Sequence, residues 1–73
     1  MVRQRFYVGH SEGGREMFAT FHPPTEESHG GRYTAATGPF RTRRGAEWAA
    51  SCRYGWYGSI REAERLAAAG VSR

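Results

Sequence analysis

The sequence predicts an α+β fold in which a three-stranded antiparallel sheet packs against one helix and a second helix follows at the C-terminus. Three short stretches rich in aromatic or β-branched residues lie in the first half of the chain, separated by glycine and proline turn signals. Two helix starts with capping residues follow in the second half. Aromatic residues make up 14 % of the chain, so they can supply a core although leucine and isoleucine occur once each.

The first two predicted strands form a hairpin. Residues 5–8 alternate between a basic face and an apolar face, as in a half-buried strand. The basic face carries Arg3, Arg5 and Tyr7. The glycine pair at 13–14 predicts a tight turn, because glycine tolerates positive φ. Residues 16–22 form the expected return strand, and the prolines at 23–24 end it, because proline cannot donate to a ladder.

The third predicted strand follows a long polar stretch. Residues 25–31 have loop composition throughout, and we expect them to be the most mobile part of the chain. Residues 32–37 predict the strand, which the glycine and proline at 38–39 would stop. Phe40 then serves as an apolar plug before the helices.

Capping residues place the two helices. Thr42 predicts the start of a helix over residues 43–53, and Gly55 can end it in the left-handed conformation. A capping box at residues 59–62 opens the second helix, with Gly70 just beyond its end. The apolar face of the second helix carries Ile60, Ala63, Leu66 and Ala67.

The length and cysteine content predict one small domain over residues 1–73. So short a chain is too small for a large enclosed active site. Cys52 is the only cysteine, which excludes an internal disulfide and fits a reducing cytoplasm. The first residues lack the apolar run of a signal peptide or membrane span, so we expect a soluble monomer without membrane contact.

The charge of the chain predicts an anionic partner. Its formal net charge is +4, and all 11 basic residues are arginine. Such a balance favours a nucleic acid or an acidic protein surface as partner. The codon usage of a GC-rich genome is an alternative explanation, because glycine and alanine are also frequent. The positions of the arginines distinguish these two explanations.

The start of the first helix is the strongest candidate site. Arg43, Arg44 and Gly45 occupy its first turn, and Arg41 lies just before it. Each exposed cation there opposes the helix dipole by about 0.3–1 kcal/mol, and glycine disfavours a helix by about 1 kcal/mol. Local departures without visible compensation are typical of functional sites. We expect these guanidinium groups to bind phosphates or carboxylates, with a solvated surface as the alternative.

The sheet is expected to extend this site if the first and third strands are neighbours. Tyr7 or Tyr33 would then be available to stack on bases, as on nucleic-acid-binding sheets. The complete predicted partner or nucleic-acid site is Arg3, Arg5, Tyr7, Arg32, Arg41, Arg43 and Arg44. Trp56 and Tyr57 are predicted to belong to the core, with an exposed recognition turn as the alternative.

The sequence contains no pattern that indicates an enzyme. His10, His22 and His29 lack the spacing of a zinc site, and Cys52 lies among alanines as a small buried hydrophobe would. The glutamates at 26–27 adjoin a loop and have no positioned base or nucleophile beside them. We expect no catalytic residue, no cofactor and no metal.

Residues 38–49, GPFRTRRGAEWA, resemble the arm-type DNA-binding domain of phage integrases. In that family an aromatic residue, a threonine cap and an Ala-Glu-x-Trp helix follow the third strand of a three-stranded sheet. The resemblance leaves out residues 56–73. It implies a small basic DNA-binding module whose sheet enters a groove, with Arg3, Arg5 and Arg32 as contacts.

The whole chain is also similar to small phage-encoded inhibitors of host RNA polymerase that act as transcription antitermination factors, of the lytic Xanthomonas phage type. The residues that carry this similarity are 6–8, 25–29 and 38–42. It implies binding to the N-terminal region of the polymerase β′ subunit beside the RNA exit channel, in the cytoplasm of an infected bacterial host. Inhibition of initiation and suppression of intrinsic termination would follow, with nascent RNA as a second partner.

Overall fold

The computed structural model describes residues 3–25 and 30–71 and confirms the predicted α+β fold. Its sheet contains β1 (Arg5–Ser11), β2 (Gly14–Thr20) and β3 (Ala35–Phe40), with β1 between the other two. Both neighbours run antiparallel to β1. The helices are α1 (Arg43–Ala50) and α2 (Ile60–Ala68), and both contact the sheet. Residues 26–29, part of the predicted polar loop, lie outside the described residues.

The predicted β1–β2 hairpin forms, but its bounds differ from the prediction: the turn lies at residues 12–13, and β2 spans Gly14–Thr20 rather than residues 16–22. Ser11 pairs with Gly14 at the turn, and Arg5 pairs with Thr20 at the other end. Gly14 has a φ of 133°, a value that a side chain would disfavour. Gly14, one member of the predicted glycine pair, therefore allows the chain to enter β2 directly after the turn.

The third strand differs from the prediction at both ends. It begins at Ala35 rather than at residue 32, and it continues through the glycine and proline at 38–39 as far as Phe40. Proline is compatible with β3 because, among the described strands, β3 is an edge strand that pairs only with β1. The pairing of β1 with β3 has an irregular register between Phe6 and Val8, beside the glycine and proline of β3. Phe6 consequently lies opposite Phe40.

The helix caps follow the prediction, whereas the end of α1 does not. The Thr42 hydroxyl accepts a hydrogen bond from the Gly45 N–H at 3.0 Å, and the Ser59 hydroxyl accepts one from the Glu62 N–H at 3.1 Å. α1 ends with Ser51 as its C-cap, rather than at residue 53. Among the described residues, no helix has the length and apolar character needed to cross a membrane.

Arg15 of β2 lies where α1 ends. Its guanidinium donates hydrogen bonds to the carbonyl of Cys52 and, at 3.3 Å, to that of Arg53. A cation is favourable beside the C-terminal end of a helix because the carbonyls there carry partial negative charge. This contact fixes the chain as it leaves α1.

The core lies between the sheet and the helices and consists mainly of alanines and aromatic residues. Phe40 is the largest side chain that is completely buried. Small side chains on both helices allow close approach between α1 and α2. The buried cluster contains Val8, Phe40, Ala46, Trp48, Ala49, Cys52, Ala63 and Ala67.

Three aromatic rings cover the opposite face of the sheet. The Phe18 ring stacks between those of Tyr7 and Tyr33, with centroid distances of 5.7 and 5.0 Å. A Cβ at Gly9 would come within 2.5 Å of the Tyr33 ring, and one at Gly38 within 2.5 Å of the Tyr7 ring. The two glycines therefore allow both tyrosines to lie flat against the backbone of the sheet.

Candidate anion-binding site

One end of the sheet gathers most of the predicted arginines. β1 begins there and β3 ends there, because the strands are antiparallel and Phe6 pairs with Phe40. α1 starts shortly after β3, at the same end. Four exposed arginines lie here, next to Phe6 or Phe40 in the sequence or in the first turn of α1: Arg5, Arg41, Arg43 and Arg44. Arg3 is also exposed and lies two residues before β1, so it extends the same end.

Arg61 of α2 joins this group. The connection over residues 51–59 returns the chain to the start of α1, where Arg61 and Glu64 line a shallow groove with Arg41 and Thr42. Both helices therefore direct their N-terminal ends, which carry partial positive charge, towards these arginines. We define the arginine end as Arg5, Arg41, Arg43, Arg44 and Arg61.

Glu64 of α2 supplies the acid that the first turn of α1 lacks. Its Oε1 accepts hydrogen bonds from the backbone N–H groups of Arg41 at 3.0 Å and Thr42 at 2.9 Å, and from the Thr42 hydroxyl at 3.2 Å. The compensation that the sequence did not show is thus present in the tertiary structure. The unfavourable start of α1 therefore does not indicate a functional site by itself, and the clustering of the arginines is the remaining indication.

Packing also accounts for Gly45. This residue is buried, and a Cβ there would lie 2.7 Å from Glu64 Cγ and 3.0 Å from Thr42 Oγ1. Glycine therefore allows α2 to come close enough for Glu64 to reach the start of α1. Its low helix propensity accompanies a specific contact.

The side chains of the arginine end have few internal partners. Arg43 lies over the Phe6 ring, 5.4 Å from its centroid, and its Nη1 is 4.0 Å from Glu47 Oε1. Within residues 3–25 and 30–71, the other four guanidinium groups make no hydrogen bond or ion pair. An exposed guanidinium without an internal partner can bind an external phosphate or carboxylate bidentately.

Arg32 lies at the far end of the sheet, contrary to the expectation that it would extend the patch of Arg5. Because β3 is antiparallel to β1, its first residue pairs with His10, and the residues before it lie about 20 Å from Arg5. Arg32 is also paired already, with its Nη2 2.7 Å and its Nε 2.9 Å from Glu16 Oε1. The structure therefore separates Arg32 from the arginine end.

Glu16 joins Arg32 to Tyr33. The Tyr33 hydroxyl donates a hydrogen bond of 2.5 Å to Glu16 Oε1. The hydrogen bonds from Tyr33 and Arg32 hold the pKa of the Glu16 carboxyl below its ordinary value. Burial, followed by the bond to Glu16, raises the pKa of Tyr33, and the bond to Glu16 raises the pKa of Arg32. This cluster fastens the segment before β3 onto the sheet.

Neither tyrosine that was expected to stack on bases is exposed. Tyr7 and Tyr33 retain only 7 % and 8 % of their accessible surface, and both rings stack on Phe18. The sequence showed that the side chains of β1 alternate between two faces. It did not show that Gly9 and Gly38 would leave room for the tyrosine rings to lie flat on the sheet. Tyr7 therefore contributes to the outer layer of the sheet rather than to an open binding surface.

Two of the three exposed aromatic residues among the described residues lie in the connection between the helices, and the third, Phe21, follows β2 and is 56 % exposed. Trp56 packs on the core with its ring edge-to-face against Trp48, at a centroid distance of 5.0 Å, as predicted for a core residue. Tyr57 is 91 % exposed, so its predicted place in the core is wrong. Tyr54, which the sequence did not single out, is 77 % exposed.

Sequence reasoning also missed the roles of Arg15, Arg61 and Glu64. Arg15 and Glu64 bind groups at the two ends of α1, and Arg61 lines a groove with Arg41, so each meets residues distant in sequence that no spacing rule indicates. The position of Glu64 in the first turns of α2 was a signal, but it pointed to the dipole of its own helix. A local pattern cannot show which other helix a carboxylate will reach.

The histidines and the cysteine have structural surroundings where they are described. His10 Nε2 lies 2.9 Å from Thr37 Oγ1, and Cys52 is buried. No three side chains of histidine, cysteine or acidic type lie together as a metal site within the described part of the chain. The remaining candidates, Glu26, Glu27 and His29, lie outside the described residues.

Comparison with protein-family models, curated proteins and solved structures finds no match for this chain. The function therefore has to be argued from the arrangement of its own side chains, together with the resemblances seen in the sequence.

Proposed function

We propose that this chain is a non-enzymatic regulator that binds an anionic macromolecular partner through its arginine end. The carrying observation is the convergence of five exposed arginines, four of which have side chains without a hydrogen bond or ion pair to any described residue. The acids nearby form no close ion pair with these arginines: Glu64 accepts hydrogen bonds from the backbone at the start of α1, and Glu47 Oε1 is 4.0 Å from Arg43. The net charge of +4 adds a favourable long-range attraction to an anion.

The partner that we propose is host RNA polymerase, near its RNA exit channel, together with the nascent RNA. The polymerase and its β′ subunit come from the resemblance of the chain to phage-encoded polymerase inhibitors, and the RNA fits the chemistry of the arginine end. Guanidinium groups neutralise phosphates and release counterions, so binding to RNA weakens as salt rises. The proposed place of action is the cytoplasm of the infected host.

The proposed mechanism is interference with the RNA hairpin of an intrinsic terminator. That hairpin has to form as the RNA leaves the exit channel. A basic protein that holds single-stranded RNA there, or narrows the channel, delays hairpin formation and allows transcription to continue. Docking at the same place before elongation would inhibit initiation.

Transcription by purified bacterial RNA polymerase over an intrinsic terminator tests this proposal. We expect the protein to increase readthrough and to co-purify with the polymerase. Arg44→Ala should reduce readthrough several-fold. Arg65→Ala is the matched control, because it removes the same charge from α2 outside the arginine end, where Arg65 lies 3.8 Å from Glu62, and it should have little effect. Unchanged readthrough with the wild-type protein, combined with no co-purification, would overturn the proposal.

Duplex DNA is the competing partner. The structure offers less support for a sheet that enters a groove, because Tyr7, Phe18 and Tyr33 cover the face of the sheet opposite the helices. A titration with duplex DNA in the absence of polymerase distinguishes the two. Saturable binding with a dissociation constant below about 1 μM and a steep salt slope would favour the DNA-binding module.

A further inference from the structure

The connection between α1 and α2 exposes two tyrosines that the proposed function does not use. Tyr54 is 77 % exposed and Tyr57 is 91 % exposed. The Arg53 guanidinium lies 5.5 Å from the centroid of the Tyr54 ring. Most aromatic rings of the described residues are buried or half-buried, and apart from Phe21, at 56 %, these two tyrosines are the exceptions.

The tyrosines project from a backbone that is anchored at both ends. Arg15 binds the carbonyls of Cys52 and Arg53 at the beginning of the connection. Near its end, Trp56 packs on the core, and its Nε1 donates a hydrogen bond of 2.9 Å to the carbonyl of Ser59. The backbone that carries the tyrosines is therefore held at both ends, so little backbone entropy is lost when a ligand stacks on them.

The connection leads directly to the arginine end. Arg61 follows Tyr57 by four residues, so their Cα atoms lie within about 14 Å of each other. No acidic residue occurs between Trp48 and Arg61, whereas arginines stand at positions 53 and 61. A phosphate backbone that follows this path meets attraction at both ends and no carboxylate of the connection itself.

We propose that Tyr54 and Tyr57, with Arg53, form a base-stacking surface for single-stranded RNA that continues into the arginine end. Stacking requires bases whose faces are free, which a single strand offers and a duplex hides. Guanidinium groups beside the rings add cation–π and phosphate contacts. This inference rests on the proposed function, in which nascent RNA is a partner. It adds that the RNA segment bound at this surface is single-stranded.

Fluorescence anisotropy with a labelled U12 oligonucleotide tests the surface on the isolated protein. Tyr54→Ala and Tyr57→Ala should each lower the affinity by between about 5-fold and 150-fold, the range for loss of one stacked base. The matched variants Tyr54→Phe and Tyr57→Phe keep the rings and should stay within about twofold of the wild type. Thermal unfolding should be unchanged in all four variants, because both side chains are exposed.

The dependence of affinity on salt separates stacking from charge. We expect the alanine variants of the tyrosines to keep the wild-type slope of log K against log salt, whereas Arg44→Ala makes this negative slope shallower by about 0.7. An affinity for U12 that falls with Arg44→Ala but not with either tyrosine variant would overturn the stacking surface. An equal affinity for a U12·A12 duplex, or tyrosine-dependent binding of dT12 as tight as that of U12, would overturn the assignment to single-stranded RNA.

The polymerase assay distinguishes failure of this inference from failure of the proposed function. If the protein alone binds no U12 yet still increases readthrough, the RNA-stacking surface is overturned and the proposed function stands. If Tyr57→Ala abolishes co-purification with the polymerase while U12 binding is unchanged, the turn binds protein and the inference is likewise overturned. Tyrosine-dependent U12 binding without any effect on termination would support the surface and overturn the regulatory role.

Discussion

At the scale of single residues, the carboxylate of Glu16 holds the outer face of the sheet together. It accepts hydrogen bonds from Tyr33 and Arg32, the residues that approach β3 from outside the sheet. Tyr33 in turn covers Gly9 and stacks on Phe18. The sequence predicted a strand from residue 32, but here the side chains at 32 and 33 bind across to β2 and β3 begins later.

The lowered pKa of Glu16 and the raised pKa of Tyr33 predict that stability is constant at intermediate pH and decreases at both acidic and alkaline pH. Glu16 contributes fully above its ordinary value of 4.5, and this contribution is lost as the pH falls through its lowered pKa. Tyr33 contributes fully below its ordinary value of 10.0, and this contribution is lost as the pH rises through its raised pKa. Melting temperatures between pH 3 and 11 for the wild type and Glu16→Gln test this.

The two proteins should differ in melting temperature at intermediate pH and converge at acidic pH, because a protonated Glu16 resembles glutamine. Glu12→Gln is a matched control, since Glu12 is exposed in the hairpin turn. A difference between the wild type and Glu16→Gln that stays constant down to pH 3 would show that the carboxylate charge is not the stabilising feature.

At the scale of secondary-structure elements, the start of α1 depends on α2. The Thr42 cap is local, and the sequence predicted it. The acid that complements the start of α1 comes from Glu64, one helix away. The close approach of the helices that this contact needs is possible because residue 45 is glycine.

Gly45→Ala should therefore destabilise the protein, against the usual preference for alanine in helices. Alanine normally stabilises a helix by about 1 kcal/mol relative to glycine, but its Cβ here would lie 2.7 Å from Glu64 Cγ. Overpacking of this kind lowers the free energy of unfolding by about 1–3 kcal/mol, so we expect a net loss of about 1 kcal/mol. Urea denaturation measures it.

Ser51→Ala is not a suitable control, because the Ser51 hydroxyl binds carbonyls of α1. Arg44→Ala is a better control. Arg44 is exposed and directly precedes Gly45, so its loss should change the free energy of unfolding by less than about 0.5 kcal/mol. A stability gain in Gly45→Ala would contradict the packing that we describe between α1 and α2.

At the scale of the whole molecule, a thin shape limits how much can be buried. The Cα trace extends 35 × 35 × 14 Å, so most side chains lie near a surface, and Phe40 is the one large side chain that is fully buried among the described residues. The starts of both helices and one end of the sheet meet at the arginine end. This arrangement concentrates positive charge without requiring the arginines to support the core.

Removal of Arg43 and Arg44 together should weaken RNA binding with little effect on stability. Loss of the contact between Arg43 and Phe6 disfavours the fold by about 0.5–1 kcal/mol at an exposed site. Relief of two cations at the helix start favours it by a similar amount. The negative slope of log K against log salt for U12 should become shallower by about 1.4, as expected for the loss of two phosphate contacts on a single strand.

Thermal unfolding and anisotropy on the same preparation of Arg43→Ala plus Arg44→Ala provide both measurements. A melting temperature within about 5 °C of the wild type corresponds to less than about 1 kcal/mol for a domain of this size. A much larger decrease would show that the two arginines are structural, and an unchanged salt slope would show that they do not bind phosphate.

The sequence by itself determined what depends on neighbours along the chain. These features are the hairpin turn, the caps at Thr42 and Ser59, and the α+β class, because turns and caps follow from the backbone preferences of a few adjacent residues. It also showed that arginines cluster before α1. The tertiary structure decided which of them meet: the antiparallel order placed Arg32 far from Arg5, and the path back from α1 brought Arg61 in and left Tyr57 in solvent. Those outcomes depend on strand order and helix packing between residues distant in sequence, which no local pattern specifies.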